Sequence, residues 1–367
     1  MTSKYMRRAL ELADSVLGST SPNPAVGCVI VRDARIIAEG ATQPPGQAHA
    51  EIVALRAAGG AAGGADIYVT LEPHNFTGRT PPCTDALIAA GVRTVHVSMV
   101  DPNPRVSGGG IAQLRAAGIE VEVGDGEAEA RRLLEGYLKH RATGLPFVVA
   151  KFAATLDGKI AASSGDSRWV AGEAARAWAH DFRTKVDAIM CGVNNVLLDD
   201  PRLTARPGGI DAPRQPLRIV ADSRGRTPLD ASVLGPGGHT IIATTAASPD
   251  AWRADVERTG AEALVLPADR QGRVDLPALM RVLGERGVLT LLVEGGGVLH
   301  ASLFEAGLVA KVHAIVAPKI VGGSAYPAIA GAGVARMAEA ITLHDVEFER
   351  LGDDIAVVGY VNGANER

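Results

Sequence analysis

The distribution of apolar and polar positions in the first part of the chain predicts short strands alternating with helices. Met6, Leu10, Ala13 and Leu17 recur at helical spacing and predict an amphipathic N-terminal helix rather than a signal peptide. Apolar runs bounded by Gly, Pro, Asn and Asp predict buried strands. We expect strands at 26–31, 35–38, 66–71 and 92–100, and helices at 49–58, 84–90 and 127–141. Such alternation is typical of a sheet covered by helices on both faces.

A second α/β pattern follows and does not repeat the first. Gly144-Leu-Pro146 lies between the polar helix and a new apolar strand, and it is the predicted boundary between domains 1–144 and 145–367. In the second domain we expect strands at 147–154, 187–193, 217–221, 239–243, 264–266 and 288–293, and helices at 173–185 and 298–305.

Composition limits the classes of function. A chain of 367 residues with 47% apolar and 21% charged residues favours two globular domains. The net charge of −4 offers no electrostatic footprint for nucleic acid, and no apolar run approaches the ~20 residues of a membrane helix. Three scattered cysteines favour the reducing cytoplasm over a disulfide framework, and Cys28 and Cys191 lie in apolar runs typical of buried strands.

One set of polar residues predicts a zinc-dependent deaminase. Zinc with three protein ligands keeps a position for water and lowers its pKa towards ~7, while a glutamate that is not a ligand transfers the proton. His49-x-Glu51 followed by Glu72-Pro73 and Cys83 fits this pattern, with Glu51 as the proton shuttle. His74 stands where the usual pattern has a second cysteine, so the predicted ligands are His49, His74 and Cys83. In the alternative, Cys83 is only a small buried hydrophobic residue.

A glycine run predicts a second site. Gly295-Gly-Gly297 lies between a predicted strand and a predicted helix, where bare backbone N–H groups can bind a phosphate. The run is not the dinucleotide fingerprint of a Rossmann domain, and a helix-packing turn explains it equally well. Trp169 and Trp178 are more typical of core residues than of cofactor contacts.

Across both halves, the motifs resemble the bifunctional deaminase/reductase family of riboflavin biosynthesis. The motifs that carry the resemblance are Asn23-Pro-x-Val-Gly27, His49-Ala-Glu51, Thr70-Leu-Glu-Pro73, Gly78-Arg-Thr-Pro-Pro-Cys83, Lys151, Thr155-Leu-Asp-Gly-Lys159, Gly165-Asp-Ser-x-Trp169, Asp199-Asp-Pro201-x-Leu203-Thr204 and Glu294-Gly-Gly-Gly297. The resemblance implies an α/β fold, with a cytidine-deaminase-like αβα domain before a dihydrofolate-reductase-like domain. It also implies zinc-dependent deamination of a phosphoribosylamino-pyrimidine, then NADPH reduction of its ribosyl group to ribityl.

The resemblance also implies site residues. Those expected to bind NADPH are Ala153, Trp169, Asn195, Asp199, Gly296, Gly297 and Val298. Those expected to bind substrate are Asn23, Arg79, Lys151, Ser167, Arg183, Leu203, Arg206 and Glu294. We expect Arg79 to bind the substrate phosphate in the deaminase, and Arg183 and Arg206 to bind it in the reductase. The alternative for each arginine is a solvated surface position.

Three residues of the first domain depart from the family pattern: His74 replaces a zinc-ligand cysteine, while Phe76 and Thr42 each replace a histidine of the substrate pocket. Two hypotheses therefore remain open, a cytoplasmic homo-oligomer that catalyses both steps, or a reductase whose deaminase-like domain is inactive or acts on a different ring. A deaminase of nucleic acid bases is disfavoured by the negative net charge, the 4% aromatic content and the complete reductase half.

Overall fold

The computed structural model describes residues 1–324 and 326–361. The chain divides into two compact units, Met1–Ala142 and Thr143–Arg367, at a point close to the Gly144-Leu-Pro146 segment. Among the described residues, no helix combines the length and hydrophobicity needed to cross a membrane.

In the first unit, helices alternate with strands along most of the chain. The elements are α1 Lys4–Asp14, β1 Gly27–Arg32, β2 Arg35–Ala41, α2 Ala50–Ala58, β3 Asp66–Val69, α3 Cys83–Ala90, β4 Thr94–Val97, α4 Gly109–Ala116, β5 Glu120–Val123, α5 Glu127–Leu133 and α6 Glu135–Thr143.

The described strands of this unit form one sheet in the order β2-β1-β3-β4-β5. Strand β1 is antiparallel to both neighbours, whereas β3, β4 and β5 are parallel. Gly27 lets α1 lie directly against the sheet, because a Cβ at this position would stand 1.9 Å from the Ala9 carbonyl oxygen. Gly40 does the same for α2, since its Cβ would stand 2.3 Å from the Ala50 carbonyl oxygen. These close approaches fix the helix that carries Glu51 against the sheet.

The second unit continues the numbering with a longer α/β series. The elements are β6 Phe147–Thr155, α7 Glu173–Thr184, β7 Ala188–Gly192, α8 Val193–Asp199, β8 Leu217–Ala221, β9 Thr240–Thr244, α9 Asp250–Arg258, β10 Glu262–Val265, α10 Leu276–Glu285, β11 Thr290–Val293, α11 Gly297–Glu305, β12 Val309–Ala317, β13 Leu343–Leu351 and β14 Asp354–Val361.

Among the described residues, the strands of this unit form a sheet in the order β10-β9-β8-β7-β11-β6-β12-β14-β13. Pairing is parallel from β10 to β12 and antiparallel where β14 joins β12 and β13. Alternate residues of β6 enter separate hydrophobic clusters: Val148 belongs to the cluster that includes residues of α10, and Val149 to the cluster that includes Val256 of α9. The parallel part of the sheet is therefore buried on both faces, as its continuous apolar strands predict, whereas the edge strand β13 is mostly exposed.

The structure corrects several predicted elements. The single helix expected at 127–141 is two helices, α5 and α6, with Leu134 at the C-terminal cap of the first. Helix α1 ends at Asp14, so Leu17 lies beyond the amphipathic face that the pattern assigned to it. Helices α8, α9 and α10 and the last three strands were not predicted. Cys28 and Cys191 are fully buried, as expected.

Candidate active sites

The first site lies where two helices begin. His49 is the N-terminal cap residue of α2, and Cys83 is the first residue of α3, directly after Pro82. The segment that follows β3 carries His74 towards both. His49 and Cys83 are thus held at helix starts, and His74 lies on the loop between β3 and α3. The positive ends of two helix dipoles favour a thiolate here.

The three predicted ligands come together. One potential ligand atom from each of His49, His74 and Cys83 lies within 4.8 Å of the others. Nδ1 of His49 is 3.5 Å from Sγ of Cys83, and the two imidazole centroids are 4.6 Å apart. Nε2 of His74 is buried and makes no hydrogen bond. Two imidazoles and a thiolate at these separations suit zinc, and the unpartnered nitrogen is the atom that a metal would satisfy.

Glu51 lies beside this cluster on the first turn of α2 and is only 4% exposed. Burial raises the pKa of its carboxyl group, against the opposing influence of His49 and of a hydrogen bond with Cys83. Burial also lowers the pKa of His49 and of His74 and raises the pKa of the Cys83 thiol. Both imidazoles are therefore neutral at pH 7, as metal ligands must be, and binding a metal would release the thiol proton.

The loop that carries His74 is fixed by Glu72. Its carboxylate is 3% exposed and accepts backbone hydrogen bonds from Asp101, Gly108, Gly110 and Ile111 at 2.9–3.2 Å. These donors include the first turn of α4, where a carboxylate also complements the helix dipole. The sequence analysis used Glu72 only as part of the deaminase motif and did not predict that its carboxylate positions the loop.

The three departures from the family pattern occupy different environments. The Thr42 hydroxyl is buried and accepts a hydrogen bond from the backbone N–H of Val26 at 3.2 Å, so it stabilises the segment directly before β1. Phe76 contacts the edge of His74 at 5.5 Å between ring centroids, and the guanidinium of Arg105 lies 3.8 Å above its ring. Arg105 is a cation near the site that the sequence did not indicate.

In the second unit, Lys151, Arg183 and Glu294 form a buried ion-pair network. The Arg183 fork bonds to both Glu294 oxygens, at 2.6 and 2.8 Å, and Lys151 Nζ is 3.4 Å from one of them. Burial by itself would raise the pKa of Glu294, but Arg183 and Lys151 outweigh it and hold this pKa well below its usual range. The carboxylate is therefore ionised at all working pH values.

Next to this network lies a group of cationic side chains. Arg183 Nη1 donates to the Thr204 carbonyl oxygen at 2.9 Å, and Arg206 bonds to the Thr204 hydroxyl. Nδ1 of His180 accepts from the backbone N–H of Arg206 at 3.2 Å. Burial and the two arginines lower the pKa of His180 to about 4, and burial, Arg183 and Arg202 lower the pKa of Arg206. The part of each shift that the neighbouring arginines cause reflects a positive local potential, which favours an anion.

A cavity of about 670 Å³ opens at the carboxyl ends of the parallel strands. The predicted residues that line it are Ser167, Asn195, Asp199, Gly296, Gly297 and Val298. Gly296 N–H donates to Asn195 Oδ1 at 2.8 Å, and Ser167 donates to Asp199 at 2.8 Å. Parallel sheets bind ligands at this edge, and the glycine run places the N-terminus of α11 there.

A family model described as the RibD C-terminal domain matches residues 146–357, more than half of the chain. A second model, for the cytidine and deoxycytidylate deaminase zinc-binding region, matches residues 1–99. This chain belongs to the RibD family. Riboflavin biosynthesis protein RibD of Actinobacillus pleuropneumoniae is 44% identical over 96% of this chain and 93% of its own, and that of Escherichia coli is 42% identical over 96% and 97%.

Solved RibD structures agree with this assignment. Acinetobacter baumannii RibD superposes with a TM-score of 0.86, at 38% identity over 98% of both chains. The Thermotoga maritima diaminohydroxyphosphoribosylaminopyrimidine deaminase/5-amino-6-(5-phosphoribosylamino)uracil reductase gives 0.84, at 33% identity over 97% of both. The chain is therefore a bifunctional RibD enzyme of riboflavin biosynthesis, with a zinc-dependent pyrimidine deaminase domain and an NADPH-dependent, dihydrofolate-reductase-like domain.

Several residues that the RibD resemblance implicated lie outside the 670 Å³ cavity. The Leu203 side chain is 4% exposed and belongs to a hydrophobic cluster. Trp169 is 62% exposed under the guanidinium of Arg176, so the prediction of a core position is wrong, whereas Trp178 packs against a buried cluster. Arg79 is exposed. Their binding roles stay predictions.

The cavity also has lining residues that the sequence analysis did not choose. They are contributed by the turn after β8 and by the segment before α10, and the polar ones are Ser223, Arg224, Arg226, Asp269, Gln271 and Arg273. Asp-Ser-Arg-Gly-Arg after an apolar strand was the available signal, because polar loops at the carboxyl ends of parallel strands are where ligands bind.

Proposed function

We propose that residues 1–144 deaminate a phosphoribosylamino-pyrimidine at a zinc ion held by His49, His74 and Cys83. The observation that carries the proposal is the convergence of three ligand atoms within 4.8 Å beside the buried Glu51. A zinc ion held there would supply Lewis acidity for the attack of water on the ring carbon that bears the amine, so that a C–O bond forms as the C–N bond breaks. Glu51 takes the proton from the water and delivers it to the departing amine, which leaves as ammonia.

Asn23 and Arg79 are assigned to the substrate of this half, with Arg79 on its phosphate. Both residues lie on loops, and loops commonly carry binding residues. Phe76 and Arg105 add a stacked apolar and cationic surface near the ligands. This surface differs from a histidine-lined pocket, and it is the feature that favours the second candidate function, deamination of a different amino-substituted ring.

We propose that residues 145–367 reduce the ribosyl group of the deaminated product to ribityl. The Thermotoga maritima relative is named as a 5-amino-6-(5-phosphoribosylamino)uracil reductase, which supports this proposal. NADPH supplies the hydride. Lys151 and Glu294 orient the substrate, Ser167 contacts it, and Arg206 binds its phosphate together with the charge of Arg183. Among Lys151, Arg183, Arg206 and Glu294, three positive charges face one negative charge, and the excess suits a dianionic phosphate.

The proposed NADPH contacts lie on the side of the cavity that the glycine run forms, and at two flanking positions that the family resemblance implies. The cavity residues are Asn195, Asp199, Gly296, Gly297 and Val298, and the flanking residues are Ala153 and Trp169. A Cβ on Gly297 would stand 2.3 Å from the Pro327 carbonyl oxygen, so this glycine also serves packing. Leu203 is assigned to the substrate through its backbone. We further assign the enzyme to the cytoplasm as a homo-oligomer.

The deaminase assignment is tested with purified protein and the diamino-pyrimidine substrate. Zinc by mass spectrometry and ammonia release are measured for the wild type, Glu51→Gln and His74→Cys. We expect about one equivalent of zinc in all three, and a loss of about 10²–10⁴-fold in ammonia release for Glu51→Gln. Less than a tenth of an equivalent of zinc in the wild type would refute the metal site. Ammonia release that appears or rises strongly only in His74→Cys would favour the alternative, an impaired deaminase.

A further inference from the structure

We propose that Arg224 recognises the 2′-phosphate of NADPH and thereby makes the reductase unit select NADPH over NADH. The proposal rests on the assignment of the 670 Å³ cavity to the dinucleotide. It concerns a residue on the turn after β8 that neither the sequence motifs nor the family relationship assigned.

The order of the strands gives the cavity a direction. Strands β6, β11, β7 and β8 are consecutive neighbours. Lys151 lies within β6, level with the carboxyl end of β11, and the carboxyl ends of β11, β7 and β8 lead in turn to the glycine run, Asn195 and Arg224. Three strand spacings cover about 14 Å, a length that suits an extended dinucleotide. The nicotinamide must lie near Lys151 and Glu294, where the substrate is reduced. The adenosine ribose therefore lies towards the end of β8.

The turn after β8 is built to present its side chains outward. Asp222 is fully buried, and its carboxylate accepts backbone hydrogen bonds from Arg226 at 2.6 Å and from Thr227 at 2.7 Å. It also accepts the Thr227 hydroxyl at 2.8 Å. The carboxylate is thus occupied by the turn itself, and among the described residues no ion pair joins it to an arginine side chain.

Arg224 is the cation of this turn that is available for a ligand. Its side chain is exposed, lines the cavity, and makes no hydrogen bond or ion pair with any residue that the structure describes. By contrast, Arg273 pairs with Asp269 at 3.0 Å, and Arg226 donates to Asn194 at 3.0 Å. Arg226 belongs to the same turn and adds a second guanidinium group there.

Ser223 supports the same assignment. Its hydroxyl oxygen accepts the backbone N–H of Val274 at 3.0 Å, which leaves its own proton free to donate within the cavity. A serine donor beside an arginine fork suits a phosphate monoester, since the fork can bind two phosphate oxygens at once. NADH has a hydroxyl group at this position and would leave the fork without an anion.

The test is the binding of NADPH, NADH, 2′,5′-ADP and 5′-ADP to the full-length protein by calorimetry. For Arg224→Gln we expect the Kd of NADPH and of 2′,5′-ADP to rise about tenfold or more, while the Kd of NADH and of 5′-ADP stays unchanged. Arg224→Lys should retain part of the preference. Arg270→Gln, which changes an exposed arginine of the neighbouring segment outside the cavity, is the matched control and should bind as the wild type does.

The outcomes separate two questions. Equal weakening of NADPH and NADH in Arg224→Gln, or no change in either, would overturn the role of Arg224. A wild-type protein that binds NADPH and NADH equally would overturn it as well. Failure of the wild type to bind any of the four probes would instead remove the cofactor assignment of the cavity, on which the proposal rests.

Discussion

Arg183 and Glu294 form a buried two-point ion pair, with Nε and Nη2 of Arg183 at 2.6 and 2.8 Å from the two carboxylate oxygens of Glu294. Their side chains are 14% and 11% exposed. The pair joins α7 to the residue that follows β11 and so fixes the position of α7 against this end of the strand. The two residues were predicted as separate substrate contacts, and the structure shows that they also hold each other.

Replacing Glu294 by Gln should destabilise the reductase unit. The change leaves Arg183 and Lys151 buried without their counter-charge, and breaking a buried pair in this way costs about 3–5 kcal/mol. Urea unfolding measures the loss. The control is Glu262→Gln, which removes the exposed partner of Arg286 and should cost about 0–1 kcal/mol. Equal losses in the two variants would show that the Glu294 pair contributes no more than a surface pair.

The stability of the reductase unit should fall as the pH decreases from about 6.5 to 4. The pKa of His180 is lowered to about 4 and that of His313 to about 3, in each case first by burial. The unfolded chain therefore binds more protons in this range, and stability is greatest above pH 6.5. His180→Gln should reduce the slope of the free energy of unfolding against pH by up to the equivalent of one proton.

Urea unfolding at several pH values tests this expectation. His344→Gln, on the exposed part of β13, is the control and should leave the slope as it is in the wild type. A slope that is the same in His180→Gln and in the wild type would show that His180 titrates normally in the folded protein.

Glu72→Ala should destabilise the deaminase unit and weaken zinc binding together. Four backbone N–H groups lose their acceptor, and a buried donor left unsatisfied costs about 1–3 kcal/mol. Unfolding of the variant and competition for zinc with a chelator measure the two effects. Glu122→Ala is the comparison, since its carboxylate pairs at the surface with His96. Unchanged zinc affinity in Glu72→Ala would mean that the His74 loop keeps its position without this carboxylate.

Arg206→Ala should raise the KM for the phosphorylated substrate by about 10–100-fold, because one charge-assisted contact is worth about 1.5–3 kcal/mol. The Kd of NADPH should not change, since Arg206 lies outside the cofactor cavity. Steady-state kinetics and calorimetry on one preparation separate the two effects. Arg258→Ala, on the exposed end of α9, controls for loss of surface charge. A KM equal to that of the wild type would remove Arg206 from the phosphate site.

The sequence by itself determined the helices and strands in which apolar side chains recur at a regular spacing along the chain. Apolar runs predicted most strands of both sheets, and the spacing of His49, Glu51 and Cys83 predicted the chemistry of the deaminase, because ligands near helix starts leave a local signature. The single helix predicted at 127–141 was wrong. Helical periodicity does not show whether a helix is interrupted at a residue such as Leu134, and that interruption depends on packing.

Only the tertiary structure decided which distant residues meet. Glu72 finds its donors about 30–40 residues further along the chain, and Arg183 meets Glu294 across 111 residues. The cavity likewise gathers loops from several strands, so Arg224 gained a candidate role only when the order of the strands was known. The physical reason is that burial and ion pairing depend on distance in space, whereas local pattern records only the neighbours along the chain.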